Sequence, residues 1–100
     1  MIALYITSTT PPDAWAEPMR KMDISLFTVE IADGVYFVSS LHLSEQMIRR
    51  FATQQHPDPS SVSVERAELP VPQGVEQSVA AEIARRIRER DEEETGFYVS

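Results

Sequence analysis

The residues of this chain that could do chemistry are few, and the stretch Ser39-Ser40-Leu41-His42-Leu43-Ser44 holds several of them. A hydroxyl nucleophile needs a base within hydrogen-bond reach and donors for the developing oxyanion, usually at a sharp glycine-rich turn. Ser40 and His42 would share one face of a strand, about 6–7 Å apart along it, which is too far for that bond. Gly34, Gly74 and Gly96 are the only glycines and read as turns or caps, so no oxyanion loop and no phosphate-cradling loop is in view. His42 and His56 are the only histidines, and cysteine is absent. A zinc site takes about three or four ligands at set spacing, and neither histidine sits in an HxH or HExxH pattern. Pairs of carboxylates are easy to find among 16 acids, so they say little. Glu65 and Glu68, for example, read as protection for an edge strand. The sequence therefore leads us to expect no catalytic residue, no metal site and no cofactor.

What remains could bind rather than react. Asp91 to Glu94 follow an arginine-rich helical pattern, although acids favour the positive start of a helix and are mildly unfavourable at its end. With Glu82 and Glu89 they would form a negative patch for a basic surface on another protein. Trp15, the single tryptophan, reads as a lid on the core or as an interface anchor, a role in which tryptophan is enriched. Phe97, Tyr98 and Val99 would complete the domain's own sheet or pair with an exposed edge elsewhere.

These side chains must be held by a small set of elements. Residues 2–7 are apolar on both sides, with Ile2, Leu4 and Ile6 set against Ala3 and Tyr5, as in a central strand or one covered on both faces. Thr10 could cap a short helix whose first turn tolerates Pro11 and Pro12, but Pro18 is expected to end or kink it. Residues 11–22 thus read as a loop with one or two helical turns. Were they helical, the first six elements would follow the order of a ferredoxin-like split βαβ unit. A central β-hairpin spans 24–43 around Asp33-Gly34, a dipeptide suited to a type I′ turn. That turn sets Ile31 opposite Tyr36, Val29 opposite Val38 and Phe27 opposite Ser40, with Thr28, Glu30, Phe37 and Ser39 on the other face. Toward the open end, Ile24, Leu26, Leu41 and Leu43 shift apolar weight to that second face, which calls for a bulge or a second covering layer.

Residues 44–55 read as an amphipathic helix capped by Ser44, with Leu43 and Ile48 as a hydrophobic staple. Val62 and Val64 alternate with polar neighbours in a strand that Arg66 marks as an edge. Residues 75–93 form a long helix with Val75, Val79, Ile83 and Ile87 facing inward. Its i,i+4 pairs, such as Glu82 with Arg86 and Arg90 with Glu94, contribute about 0.2–0.5 kcal/mol each. The predicted fold is α+β, a single domain over 1–100. It has a mostly antiparallel sheet of about four strands, with helices over about 44–55 and 75–93 packed on one face.

Sixteen acids against nine bases give a formal charge of −7. Such a surface repels phosphate backbones and anionic lipid, so direct nucleic-acid binding and membrane association are not expected. Residues 1–7 lack the leading positive charge of a signal peptide, and no apolar run is long enough to span a bilayer. A cytoplasmic protein is the expectation. The functional reading is a non-catalytic protein-binding module, most concretely a small acidic inhibitor or regulator that docks on a basic partner. In its strongest form it would be a nucleic-acid mimic of the kind mobile elements encode. The expected partner-binding residues are Glu82, Glu89, Asp91, Glu92, Glu93, Glu94, Trp15, Phe97 and Tyr98. One alternative is a structural or self-assembling subunit, such as a homodimer, joined through the edge at 62–69 or the aromatic tail. The other is a small enzyme or ligand-binding domain using a groove near His42.

Overall fold

The computed structural model describes residues 1–54 and 56–95. The chain runs β1 (Ile2–Thr7), α1 (Pro12–Met22), β2 (Phe27–Ala32), β3 (Val35–Ser40) and α2 (Glu45–Gln54). A 3-10 turn (Pro59–Ser61), β4 (Ser63–Arg66) and α3 (Gln77–Thr95) follow. The strands form one antiparallel sheet in the order β2-β3-β1-β4. This is the predicted α+β sheet, with β1 inside it and β4 at an edge. Setting the 3-10 turn aside, the elements from β1 to β4 have the order of a ferredoxin-like split βαβ unit, to which α3 is added. Among the described residues no helix is long and apolar enough to cross a membrane.

The structure departs from the sequence reading in three places. First, residues 12–22 are a continuous helix, not a loop with one or two helical turns. Pro12 falls in the first turn, where a missing N–H is harmless, and Pro18 lies inside. An interior proline costs about 3 kcal/mol or more. Against that, α1 buries Trp15, Ala16 and Met19 completely, with Trp15 meeting Tyr36 edge to face at 5.5 Å. Burying one large apolar side chain contributes about 1.5–3 kcal/mol, so tertiary packing outweighs the local defect.

Second, the hairpin register differs by one residue. Gly34 has φ 75°, but Asp33 does not share the positive φ that a type I′ turn requires of both central residues. The pairing shifts between Glu30 and Ala32, so Glu30 stands opposite Tyr36 and Val29 opposite Phe37. A one-residue slip moves every side chain of the strand to the other face. Phe27, Val29 and Ile31 therefore join Phe37, Ala3 and Tyr5, while Thr28 and Glu30 share the side of Tyr36 and Val38.

Third, the two long helices do not pack on one face. Leu4, Ile6, Tyr36, Val38 and Val64 lie beneath α1 and α2, which contribute Trp15, Met19, Ile48 and Ala52. The opposite face carries Ala3, Tyr5, Phe27, Val29 and Phe37, and α3 covers it with Ile83 and Ile87, both fully buried. Because β1 and the hairpin are apolar on both sides, one layer of helices would leave an aromatic sheet face in water, and α3 supplies the second layer.

Helix α3 runs Gln77–Thr95 where 75–93 is expected, and Pro11 rather than Thr10 stands at the N-cap of α1; α2 forms as expected. Ser44 caps α2, its Oγ accepting the N–H of Met47 at 3.2 Å, and Leu43 and Ile48 are both buried in the same core. His56 is a tether. Its Nδ1 accepts the backbone N–H of Asp58 at 2.9 Å, which leaves the proton on Nε2 to reach Thr9 Oγ1 at 3.0 Å. The ring is 8% exposed and joins the β1–α1 loop to the segment before β4. We expect His56→Ala to lower unfolding stability by about 1–3 kcal/mol, read from urea denaturation. A change below a few tenths would show that neither bond matters.

Candidate functional site

The acidic end of α3 is the first candidate. Arg66 on β4 reaches Glu94 at 2.6 Å and Asp91 at 3.5 Å, and also holds Glu68 at 3.0 Å. Arg90 is 1% exposed. It donates from Nη1 to the carbonyl of Ala3 at 3.0 Å and from Nη2 to Asp91 at 3.0 Å. Glu93 meets the amino group of Met1. Glu82 lies between Arg85 and Arg86, which hold its carboxyl at about 2, the hydrogen bond from Arg85 being the largest cause. Glu89 pairs with Arg85. Among the described residues Glu92 has no ion-pair partner.

The acids are at the "wrong" end of the helix because two cations, Arg66 and Arg90, must be neutralised there. The six acids of α3 face its own four arginines and Arg66, leaving about one net negative charge. The excess of negative charge on the chain resides elsewhere. These ion pairs are largely solvent-exposed, and such pairs are worth about 0–1 kcal/mol. Arg66→Ala should accordingly cost no more than about 1 kcal/mol, and less at high salt. A larger loss that persists in 1 M salt, measured by urea denaturation, would show that Arg66 acts through packing instead.

Trp15 is 1% exposed and its Nε1 donates to the carbonyl of Thr10 at 3.4 Å, so it belongs to the core and offers no surface. Phe97 and Tyr98 lie outside the described residues. On the β4 edge, Nη2 of Arg49 already donates to the carbonyl of Val64 at 3.2 Å. His42 is exposed, and its backbone N–H donates to Ser40 Oγ at 3.2 Å. Neither of the grooves found among the described residues is lined by it.

The structure instead draws attention to the open end of the hairpin. Asp23 is 3% exposed. One carboxylate oxygen accepts from the N–H of Ser25 at 3.0 Å and from its hydroxyl at 2.5 Å, and the other accepts from the hydroxyl of Ser40 at 2.5 Å. Ser40 Oγ in turn accepts the N–H groups of His42 and Leu43 at 3.2 and 3.0 Å. Hydrogen bonds from Ser25 and Ser40 therefore hold the Asp23 carboxyl far below the usual carboxylate range. The Ser40 hydroxyl, fully engaged in this knot, is not poised as a nucleophile.

Around that knot stand three large apolar side chains in water: Met22 at 53%, Ile24 at 95% and Leu41 at 52% exposure. Their neighbours Leu26 and Leu43 point inward to the core. The apolar weight at this end is thus divided, half to the core and half to solvent. Two loops that would otherwise move independently are fixed to each other by one buried carboxylate.

Between α1 and β2 runs an open groove of about 660 Å³. Pro11, Pro12 and Arg20 form one wall, Thr28 and Glu30 the other, and Tyr36, Asp33 and Gly34 close the floor and end. The groove exists because α1 sits over the middle of the sheet against α2, leaving the polar side of β2 without cover. Glu30 and Asp33 are exposed and pair with no cation among the described residues. Tyr36 is 8% exposed, and burial together with the charge of Glu30 pushes its hydroxyl pKa up. Thr28 Oγ1 is enclosed with no hydrogen-bond partner.

None of these residues was singled out as a site by the sequence. Asp23-Ile24-Ser25 carries a usable signal, since an aspartate two residues before a serine at a helix end suits an Asx turn. Glu30 and Asp33 carry none that separates them from other acids. Among the described residues no three His, Asp or Glu side chains group as metal ligands. No protein-family model, curated protein or solved structure matches the chain.

Proposed function

We propose that this chain is a non-catalytic protein-binding module, an inhibitor or regulator working in the cytoplasm, that docks on a basic partner protein through the flank formed by α1 and β2. The observation that carries the reading is Ile24, 95% exposed on loops fixed by a buried carboxylate. Interfaces draw their energy from a few apolar anchors surrounded by polar groups, and loops already rigid lose little entropy on binding. Met22, Ile24 and Leu41 supply the anchors, and Glu30 and Asp33 supply charge for a basic rim on the partner. This reading favours a surface away from α3, where Glu82, Glu89, Asp91 and Glu94 pair with arginines of the same chain and Glu93 with the amino group of Met1. A role as a nucleic-acid decoy built on α3 draws no support from that arrangement.

The test is affinity capture from the native host with mass spectrometry, then reconstitution of the pure pair. Ile24→Lys should weaken binding at least about tenfold, the equivalent of 1.4 kcal/mol, with unfolding stability unchanged because the residue is in water. Glu92→Gln, on the outer side of α3, should bind as wild type. A partner that tolerates Ile24→Lys but is lost with Glu92→Gln would move the surface back to α3, and turnover of a substrate by the pure protein would end the non-catalytic reading.

A further inference from the structure

The sheet ends on β2 at one side and on β4 at the other, and the two edges are finished differently. β4 is four residues long, carries the exposed Glu65 and Arg66, and has the carbonyl of Val64 taken by Arg49. β2 is six residues long, and among the described residues its backbone has no partner outside the sheet. An edge strand presents unpaired N–H and C=O groups along its outer side, and charges or bulges are what discourage pairing there. β2 has one charge, Glu30, and one bulge, between Glu30 and Ala32. On the side facing α3, Phe27, Val29 and Ile31 are each only half-buried. Open backbone and incompletely covered apolar side chains therefore coincide on β2.

Symmetry and register select the occupant. The β4 edge is too short and too charged to receive β2 of a neighbouring copy, which disfavours head-to-tail filaments. The closed arrangement is β2 against β2 about a two-fold axis. That axis stands perpendicular to the sheet, so opposed residues share a face and the pairing is centred on a single residue. A centre on Glu30 sets two carboxylates directly opposite each other, which is destabilising. A centre on Thr28 sets Glu30 opposite Leu26, whose side chain lies in the core and whose N–H is already bonded to Asp23. A centre on Val29 sets Val29 opposite its own copy, Phe27 opposite Ile31 and Thr28 opposite Glu30. Apolar side chains then meet on the side of α3, polar ones meet on the side of α1, and no like charges face each other. The bulge and the turn at Ile24-Ser25 confine the ladder to residues 27–31, about 17 Å of strand.

We propose that two copies of this chain pair through β2, antiparallel and centred on Val29, so that the four strands of each copy join in one continuous sheet. Each copy supplies the other with backbone partners and with apolar neighbours for Phe27, Val29 and Ile31. The pairing goes beyond the proposed docking function and does not depend on it, because Ile24, the docking anchor, lies outside the paired residues. Its consequence for docking is that each pair of chains offers two such anchors, related by the two-fold axis.

The experiment is sedimentation equilibrium of the pure full chain from micromolar to millimolar concentration, with amide hydrogen exchange at both ends of that range. The expected result is a reversible monomer–dimer equilibrium, with exchange within 27–31 slowed at the higher concentration and β4 unchanged. Val29→Lys and Val29→Glu each set like charges across the axis and should weaken dimerisation at least about tenfold. An equimolar mixture of the two should dimerise more tightly than either alone. Urea denaturation shows whether the variants fold; if they do not, the exchange pattern of the wild type decides. A monomer at millimolar concentration, assembly that grows past two copies, or concentration-dependent protection at β4 or α3 instead of β2 overturns the pairing. Protection of 27–31 that is the same at both concentrations also overturns it, since the edge would then be filled within one chain. A mixture no tighter than the single variants overturns the centre on Val29. Ile24→Lys should dimerise as wild type. If that variant also docks normally on the partner, the proposed function fails while the pair stands; if it abolishes docking while the wild type sediments as a monomer, the reverse holds.

Discussion

Arg90→Ala is expected to lower unfolding stability by about 2–5 kcal/mol, the range for truncating a long, fully buried side chain, whereas Arg90→Met should lose no more than about 1.5 kcal/mol. The prediction turns on which part of Arg90 matters. Its charge has accessible partners: Asp91 is half exposed and Glu68, at 3.7 Å, more so. If the guanidinium is removed, these carboxylates return to water at little cost. The carbonyl of Ala3 keeps its other donor, the N–H of Ala67 at 3.0 Å, so no orphan is created. What alanine removes and methionine keeps is the aliphatic stem, which fills the space between α3 and β1 beside Ile87. Urea midpoints for both variants decide the matter. If methionine proves as damaging as alanine, the hydrogen bonds and the charge would carry the stability, and the packing account would fail.

Arg90 also shows how far the sequence could be read. An arginine among Glu89, Asp91 and Glu92 looks like a member of a solvated charged face, and the expected i,i+4 pair with Glu94 assumes that it stays outside. Only the tertiary position of α3 turns it inward, and that position depends on the hairpin. Residues 2–7 stated openly that both sides of β1 needed cover. The unbroken register expected around Asp33-Gly34 puts Phe27, Val29 and Ile31 on the same side as Val38, and with them both long helices on one face. The register shift between Glu30 and Ala32, beside a turn in which only Gly34 has positive φ, is small locally, yet it settles which side of the sheet receives α3.

Helix α2, with its cap and staple, could be read in full because its signals are local. Helix α1 could not, because Pro18 is a local signal against helix and the burial of Trp15 and Met19 that overcomes it is not local. Of the candidate site, the exposed acids of α3 were plain in the sequence, while their pairing with Arg66, about 25 residues away, was not. Ile24 was visible as an apolar residue at the hairpin's open end. Its exposure depends on Asp23 making a turn that sends Leu26 inward and Ile24 out, and no periodicity records that.

Asp23→Ala should cost about 2–4 kcal/mol, since bonds to a buried charged acceptor are each worth about 1.5–3 kcal/mol and the Ser40 hydroxyl, 1% exposed, would lose its acceptor. The pH dependence has a definite sign. Folding lowers the Asp23 pKa, so its contribution is present above the unfolded carboxyl value near 3.9 and is lost as pH falls through the depressed folded value. The stability difference between wild type and Asp23→Asn should therefore be largest above about pH 5 and shrink steadily toward pH 2. Taking the difference cancels the other carboxylates, including Glu82, which titrate in both proteins. A gap that stays constant over that range would mean the carboxyl is not depressed and the knot is held by geometry alone. The same substitution carries a functional consequence: Met22, Ile24 and Leu41 would keep their chemistry and lose their fixed relation to one another. Asp23→Asn should then weaken partner binding by a smaller factor than Ile24→Lys, and the loss should appear as a less favourable binding entropy in calorimetry. Binding equal to wild type in a folded Asp23→Asn protein would show that the loops need no bracing, and that burying a carboxylate beneath them serves stability only.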